Sequence, residues 1–423
     1  MGDAIVIGGG IGGLLAAHAL AERFDRVTVL DRTQAPAQTA AGPPAVRRGV
    51  PQSHCLHLLA GAGALAIDAL VPEWREAACA QGAVPMDACA DVAMRLTEGW
   101  LPRAPSRITT LGASRALLEY VLRQALACRP PVELRQGQTV AGLARGRRGD
   151  VVGVCVAGEG GAHTLGAALV VDASGAASRL TRWLGESGRS ADVPETVVPS
   201  PWQYVSRWFH MPPRHAPDWH CLTIAPAADG RMRAAMMLRA EHDRWGVVLL
   251  CPAGTPMPMD EAMFAAFVAP LGDGVLADAL RHARPLSPVH RYGHTHNRVR
   301  HLDRLEHWPR GLVALGDGVC VLDPYFGLGM TLAARAATLL GEHLDAGERF
   351  DACAYQRALA LQNAPAWRLA TAREPDGRPL PTDDAERAAV YARATSRADV
   401  AHAIIAVQHL LRPVDSLTEV LAA

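Results

Sequence analysis

A glycine-rich turn near the start of the chain constrains the fold more than any other feature. It has the spacing G-x-G-x-x-G, follows an apolar run at residues 4–7, and precedes a helix-like run at residues 11–23. In this setting the glycines allow a tight turn, close approach of a pyrophosphate, and close packing of helix on sheet. A second strand-like run, 26–30, ends at Asp31, whose carboxylate can accept hydrogen bonds from an adenosine ribose. We therefore predict a dinucleotide-binding βαβ unit whose cofactor residues are Gly8, Gly10, Ile11, Gly12, Gly13, Asp31 and Arg32.

A second glycine-rich segment lies far downstream. A strand-like run at residues 312–315 leads into Gly316 and Asp317, and another glycine turn precedes a helix-like run at about 330–344. A flavin needs such a second turn, because its ribityl chain and ring extend well past the first one. By itself the segment also fits an ordinary loop before a helix. We predict that it contacts the cofactor through Gly316, Asp317, Pro324, Gly327, Leu328, Gly329 and Met330.

The remaining pattern divides the chain into four parts. Strand-like and hairpin-like runs occupy residues 132–171, and alternating strands with four tryptophans indicate a mostly β region from about 194 to 300. The predicted fold class is α/β, a Rossmann-like FAD-binding domain with an inserted, mostly β substrate domain. We assign 1–185 and 301–345 to the FAD-binding domain, 186–300 to the substrate domain, and 346–423 to a helical C-terminal region.

Composition excludes several classes of function. The chain has 42 basic and 42 acidic residues and a pI near 7.3, which argues against nucleic-acid or anionic-membrane partners. The absence of a leader and of a long apolar stretch predicts a cytoplasmic protein with no membrane segment. Nine scattered cysteines without a CxxC pair indicate reduced thiols. No metal is predicted, because the nearby histidines have no Cys or carboxylate to complete a ligand set: His290, His294, His296 and His301.

In combination, these motifs resemble the group A flavoprotein monooxygenases, which contain FAD. The resemblance rests on the first glycine turn with Asp31, Ser114-Arg115 with Leu118-Glu119, Val171 to Gly175, Gly316-Asp317, and Pro324 with Gly327-x-Gly329-Met330. Arg47-x-Gly49-Val50-Pro51-Gln52, with His54 and His57, is similar to a bacterial branch of natural-product tailoring enzymes that includes polyene epoxidases. Tyr204-x-Ser206-Arg207 and Pro365-x-Trp367 look similar to that branch too.

The resemblance implies roles for individual residues. Asp31 would bind the adenosine ribose, Arg115 would lie near the pyrophosphate or ribityl chain, and Asp317 would hold the ribityl chain. Arg47 and Gln52 would lie on a loop that closes over the flavin, and Asp172 would shape the cofactor and nicotinamide side.

The resemblance also implies a reaction. It would be insertion of one oxygen atom from O2, by epoxidation or hydroxylation, into a small organic, secondary-metabolite substrate through a C4a-hydroperoxyflavin. Electrons would come from NAD(P)H or, as reduced flavin, from a partner reductase. The branch usually has Asn and Gln where this chain has Asp323 and Leu328, so an FAD-dependent dehydrogenase or desaturase is kept as the alternative. A structural use of FAD and a flavin halogenase are weaker alternatives, the latter because halogenases rely on a lysine and this chain has none.

The substrate site is predicted in the middle region and at the second turn. Tyr204, Arg207 and His210 could orient a substrate, and aromatic side chains could form the wall of its pocket. Each aromatic residue also fits a core position, and Arg207 also fits an ion pair. No catalytic dyad is evident, since flavin chemistry does not require one. The predicted substrate residues are Trp202, Tyr204, Arg207, Trp208, His210, Tyr325 and Phe326.

Overall fold

The computed structural model describes residues 2–34, 54–158, 161–186, 193–226, 232–293, 295–347, 349–380, 384–413 and 416. Its strands, in chain order, are β1 (Asp3–Ile7), β2 (Arg26–Asp31), β3 (Val84–Asp87), β4 (Val92–Arg95), β5 (Thr109–Gly112), β6 (Val132–Gln136), β7 (Thr139–Arg145), β8 (Val151–Ala157), β9 (His163–Gly166), β10 (Leu169–Asp172), β11 (Glu195–Pro199), β12 (Trp202–His210), β13 (Cys221–Ile224), β14 (Ala234–Arg239), β15 (Arg244–Pro252), β16 (Arg284–Pro285), β17 (His290–Tyr292), β18 (His296–Arg300), β19 (Leu312–Ala314) and β20 (Cys320–Val321).

The α-helices of the described residues are α1 (Ile11–Ala21), α2 (Gly61–Leu70), α3 (Trp74–Ala80), α4 (Arg115–Ala127), α5 (Leu180–Gly185), α6 (Glu261–Val268), α7 (Val275–Leu280), α8 (Gly329–Asp345), α9 (Ala352–Thr371), α10 (Asp384–Ala394) and α11 (Ala398–Gln408). Helix α1 is apolar on all sides, and ten of its eleven residues are buried, which makes it a core helix. Helix α4 is amphipathic and is capped by Ser114, whose hydroxyl accepts from the backbone N–H of Leu117 at 3.2 Å.

A five-stranded parallel sheet forms the centre of the cofactor half. Its order is β19-β10-β1-β2-β6, and every neighbouring pair is parallel. The carboxyl ends of these strands therefore meet at one edge, which brings Ile7, Asp31, Asp172 and Ala314 together. Open parallel sheets bind ligands in the crevice outside this edge. The predicted α/β fold class is confirmed.

A second, larger sheet covers that crevice. Its main path is β16-β12-β15-β14-β13-β4, and β17 pairs with β12. One face packs against helices α6 and α7 around Trp245 and Leu249, and the other face is turned toward the parallel sheet. Strand β4 comes from residues 92–95, so this sheet is not built from one contiguous segment. It pairs in parallel with β13, with Val92 opposite Cys221.

The C-terminal residues return to the first half of the chain. Helices α10 and α11 pack on residues around β4, with Val390, Ile404 and Ile405 in a shared apolar cluster that includes Leu96 and Leu101. Among the described residues, no single helix is long and apolar enough to cross a membrane. In the described part of the chain, Glu261–Val268 and Leu271–Leu280 are long and apolar enough only when taken together, and this pair is bent by 100°.

Candidate cofactor and substrate site

One continuous cavity of about 880 Å³ lies between the two sheets. It begins at the first glycine turn, passes the second, and ends against β4, β13 and the C-terminal helices. The predicted site residues that line it are Gly8, Gly10, Ile11, Gly12, Asp31, Arg32, Arg115, Gly316, Asp317, Pro324, Gly327, Leu328, Gly329, Met330, Tyr204, Tyr325 and Phe326. The structure thus joins two motifs that are distant in sequence into one binding site.

The first turn has the geometry that a pyrophosphate requires. Gly8 has φ +101°, and a Cβ there would lie 2.5 Å from the carbonyl oxygen of Ala173. Gly13 lies behind the turn, where a Cβ would approach the carbonyl oxygen of Gly8 to 1.8 Å. Helix α1 then begins after Gly10, with no side-chain cap from the described residues and no acidic residue in its first turn. Its N-terminus offers N–H groups and positive potential to an anion in the cavity.

Two charged side chains brace this turn. Asp31 is buried and accepts from the backbone N–H of Gly9 at 3.1 Å and of Thr33 at 2.9 Å. Arg123 donates to the carbonyl oxygen of Gly9 at 2.7 Å and contacts Glu119 at 3.4 Å. Glu119 of the sequence motif therefore contacts the turn through Arg123 and does not line the cavity.

The second turn presents another helix N-terminus to the same cavity. Gly327 has φ +64°, and a Cβ there would lie 3.1 Å from the Cβ of Leu58. Helix α8 starts at Gly329, again with no side-chain cap from the described residues and no acidic residue in its first turn. Leu328 is 1% exposed and packs with Leu332 and Trp367, so its side chain belongs to the core between helices.

Charged groups meet in the middle of the cavity. Arg115, Arg298 and Asp317 all line it, and burial raises the pKa of the Asp317 carboxyl while the two arginines oppose that rise. His57 lies in the same region, with Nδ1 3.0 Å from the carbonyl oxygen of Cys55. Burial, and secondarily the charge of Arg115, lowers the pKa of His57 to about 3, so its imidazole is neutral at physiological pH. This polar stretch suits the ribityl chain of a flavin.

The far end of the cavity is aromatic and apolar. The Tyr204 hydroxyl donates to Asp323, which also caps the 3₁₀ turn at Pro324–Phe326 by accepting from the backbone N–H of Tyr325 at 3.0 Å. Beyond them, side chains from alternate positions of the second sheet form an apolar wall. These are Met94, Ala234, Met236, Val248 and Leu250.

Residues near the C-terminus complete the site, which sequence reasoning did not predict. Tyr391, Gln408 and His409 line the cavity. His409 is buried, accepts from the backbone N–H of Gly61 at 2.9 Å through Nδ1, and has its pKa lowered to about 4 by burial. The sequence predicts this region only as helical, because nothing in its local pattern indicates where it docks. The sequence also does not predict four other lining residues: Met94, Thr223, Met236 and Tyr292. Each lies on a different strand, and the alternation of side chains along that strand is the signal that could have indicated it.

Four predicted substrate residues do not line this cavity. Arg207 lies on the other face of β12, between Phe209 and Phe264, and pairs with Glu261 at 3.6 Å. Three further predicted substrate residues lie on the strand face of Tyr204 but outside the cavity. Trp208 is buried and donates to the carbonyl oxygen of His54 at 3.0 Å, His210 ends the strand, and Trp202 lines a separate cavity of about 640 Å³.

Three further predictions have other outcomes. Asp172 is fully buried and does not line the cavity; it accepts hydrogen bonds from Ser174 and Ser178 and so shapes the turn after β10. Arg47 and Gln52 lie outside the described residues, as does His294. Within the described ranges, no group of three or more His, Cys, Asp or Glu side chains could hold a metal ion.

The fold and the site together define a dinucleotide-binding flavoprotein. The described residues fit FAD, because two uncapped helix N-termini and a polar stretch follow one another along a single cavity. The chain belongs to the FAD binding domain family, whose sequence model matches residues 1–352. FAD is therefore its cofactor, as predicted.

Individual relatives extend this comparison. Protein Rv3254 of Mycobacterium tuberculosis (strain ATCC 25618 / H37Rv) is 28% identical over 380 residues, covering 86% of this chain and 78% of that protein. The p-nitrophenol 4-monooxygenase PnpA from Pseudomonas putida DLL-E4 has a TM-score of 0.64 at 18% identity, covering 98% of this chain and 100% of that one. The flavin-dependent brominase Bmp2 has a TM-score of 0.66 at 15% identity, covering 97% and 94%. At these identities the two structures share the fold with this chain.

Proposed function

We propose that the chain is an FAD-dependent monooxygenase that inserts one oxygen atom from O2 into a small, largely apolar organic molecule. One observation carries the proposal: the polar part of the cavity, beside the two glycine turns, continues directly into an apolar chamber lined by the second sheet and the C-terminal helices. A substrate in that chamber would lie beside the second glycine turn. PnpA, a monooxygenase by name, has the same fold.

FAD, when bound and reduced, supplies the activation of O2. The residues of the chain bind FAD, orient the substrate and exclude water. The N-terminus of α1 would hold the pyrophosphate, Asp31 the ribose, Asp317 and Arg115 the ribityl region, and the backbone at Gly327 to Met330 the ring. Met94, Met236 and Leu250 would keep water from the reacting centre. These assignments keep the roles predicted for the cofactor residues.

The residues of the chamber favour an electron-rich, mostly apolar substrate, which includes the aromatic and polyene molecules expected from a natural-product tailoring enzyme. Epoxidation and hydroxylation both fit such a chamber. Electrons would come from NAD(P)H or from reduced flavin supplied by a reductase.

The decisive experiment follows the oxygen atom. The FAD-loaded protein would be reduced with NADPH, NADH or, separately, dithionite, and exposed to ¹⁸O2 with electron-rich aromatic and polyene compounds. Mass spectrometry of the product should show one ¹⁸O atom. A reaction in H2¹⁸O with unlabelled O2 is the control and should give unlabelled product.

The same experiment separates the alternatives. Oxidised product without label would refute oxygen insertion and establish the dehydrogenase or desaturase. Halogenation, the activity named for Bmp2, is tested by adding bromide or chloride, and a halogenated product would establish it. We expect none, because the chain contains no lysine to serve as the active-site lysine of a flavin halogenase.

A further inference from the structure

Two polar atoms at the apolar end of the cavity have no hydrogen-bond partner among the described residues. They are Oδ2 of Asp323 and Oγ1 of Thr223, and both atoms are buried. Both residues line the cavity. A buried polar atom that stays unpaired costs free energy, so native proteins rarely retain one without a partner or a ligand group to satisfy it.

The carboxylate of Asp323 is fixed by its neighbours. Its Oδ1 accepts from the Tyr204 hydroxyl and from the backbone N–H of Tyr325 at 3.0 Å, and its own backbone N–H donates to Oδ1 of Asn297 at 2.7 Å. Burial and the nearby Asp323 carboxylate raise the pKa of Tyr204, which keeps the phenol protonated and donating. Oδ2 of this carboxylate is thus held rigidly in a position where it can accept a hydrogen bond.

Thr223 lies at the other end of the same sheet face. It pairs with Met236, which pairs with Val248, which pairs with Ser206 on β12. Three strand spacings of about 4.8 Å separate Thr223 from the strand of Tyr204, a distance of about 14 Å. Between them the cavity wall is formed by the apolar side chains of Met236 and Val248.

We propose that the cavity selects an elongated, largely apolar molecule with polar groups at both ends. A hydroxyl or amino group at one end donates a hydrogen bond to Asp323 Oδ2, and a hydroxyl at the other end bonds to Thr223. Tyr204 is a positioning residue that orients the Asp323 carboxylate. An ether at the Asp323 end is rejected, because it has no hydrogen to donate and leaves the carboxylate oxygen unpaired. This inference rests on the proposed function, in which the same cavity holds the substrate.

The test uses a substitution that replaces a hydrogen-bond acceptor by a donor in a side chain of the same shape. Asp323→Asn keeps an oxygen for Tyr204 and Tyr325 and places an NH2 donor where Oδ2 was. Calorimetric titration of the oxidised, FAD-loaded protein would compare 4-phenylphenol with 4-methoxybiphenyl. The wild type should prefer the phenol by roughly 10- to 100-fold. In Asp323→Asn the preference should fall to near unity or reverse, whereas Asp218→Asn, at an exposed ion pair with Arg103, should match the wild type.

The second position is tested with a longer probe. The variant Thr223→Val removes a hydroxyl at nearly constant volume. It should weaken binding of 4,4′-dihydroxybiphenyl roughly 3- to 10-fold while leaving 4-phenylphenol unchanged. FAD content and circular dichroism verify that each variant is folded. If Asp323→Asn does not fold, the Thr223→Val comparison and the wild-type preference decide the question.

Two results would overturn the inference. One is that the ratio of the dissociation constants for the ether and the phenol is the same in the wild type and in Asp323→Asn. The other is failure of the wild type to bind any of the three probes up to their solubility limits. No reductant is present in these titrations, so they do not depend on oxygen transfer. Unlabelled product in the ¹⁸O2 experiment would refute the proposed reaction and leave the two-ended recognition standing.

Discussion

Replacing Gly13 by alanine should damage FAD binding far more than the same change at Gly341, a glycine of helix α8 that does not line the cavity. The added Cβ would lie 1.8 Å from the carbonyl oxygen of Gly8 and 2.9 Å from its carbon, and these are backbone atoms that cannot rotate away. The two segments must separate by more than an ångström to reach an ordinary contact. Overpacking of this kind costs about 3 kcal/mol. The apoprotein can avoid this cost by opening the turn, but FAD binding must then restore the closed turn. The same free energy is therefore lost from binding, which raises the dissociation constant of FAD about 100-fold.

Gly341→Ala is the matched control. Its Cβ would meet only the guanidinium of Arg23, at 3.4–3.5 Å, which is an ordinary contact with the end of a flexible side chain, and alanine favours the helix by about 1 kcal/mol over glycine. Fluorescence titration of each apoprotein with FAD measures both dissociation constants. Gly341→Ala should stay within about threefold of the wild type, on the scale of 1.4 kcal/mol per tenfold. Equal affinities for the two variants would refute the steric argument.

Three other predictions concern buried groups and are measured by denaturant midpoints. The folded pKa of His409, about 4, lies below its ordinary 6.5, so its contribution to stability is complete above pH 6.5 and lost as pH falls toward 4; His409→Asn should reduce that loss by up to about 3 kcal/mol, and an unchanged pH profile would contradict this. Leu328→Gln should cost about 1–3 kcal/mol by burying an amide in the core, whereas Leu328→Met should cost less than about 1.5. Tyr204→Phe should cost about 1–3 kcal/mol because Asp323 loses a donor, and an unshifted midpoint would count against their hydrogen bond.

The cofactor half was predictable because its signals are local. Each glycine turn stands directly between its own strand and helix, so the spacing of a few residues specifies both the turn and the ligand-binding helix N-terminus. The observed α1 begins at Ile11, where the predicted helix-like run begins. The two turns meet in one cavity because β1, β10 and β19 are parallel neighbours. The sequence predicts this meeting, since a flavin is long enough to need both turns.

The substrate half was less predictable because its contacts are not local. The residues along β12 alternate faces, so Tyr204 and Arg207 cannot share an environment, but only the paired strands decide which face meets the cavity. Asp323 was noted only as a departure from the family motif, and its hydrogen bond with Tyr204 depends on two segments 119 residues apart. Tyr391 reaches the cavity through helix docking, which no local sequence pattern encodes.

The pairing of β4 with β13 limits how this enzyme can be recombined with its relatives. A chimaera that exchanges only residues 193–300 would separate Cys221–Ile224 from its native neighbour Val92–Arg95 and leave a mismatched or unpaired strand at the wall of the chamber. Transferring substrate preference therefore requires exchange of two segments, 193–300 and the one that contains β4. Met94, on β4, must be exchanged together with the rest of the second sheet. The same coupling applies in evolution. A change of substrate in this fold requires compatible changes in two segments that are distant in the gene and that recombination tends to separate.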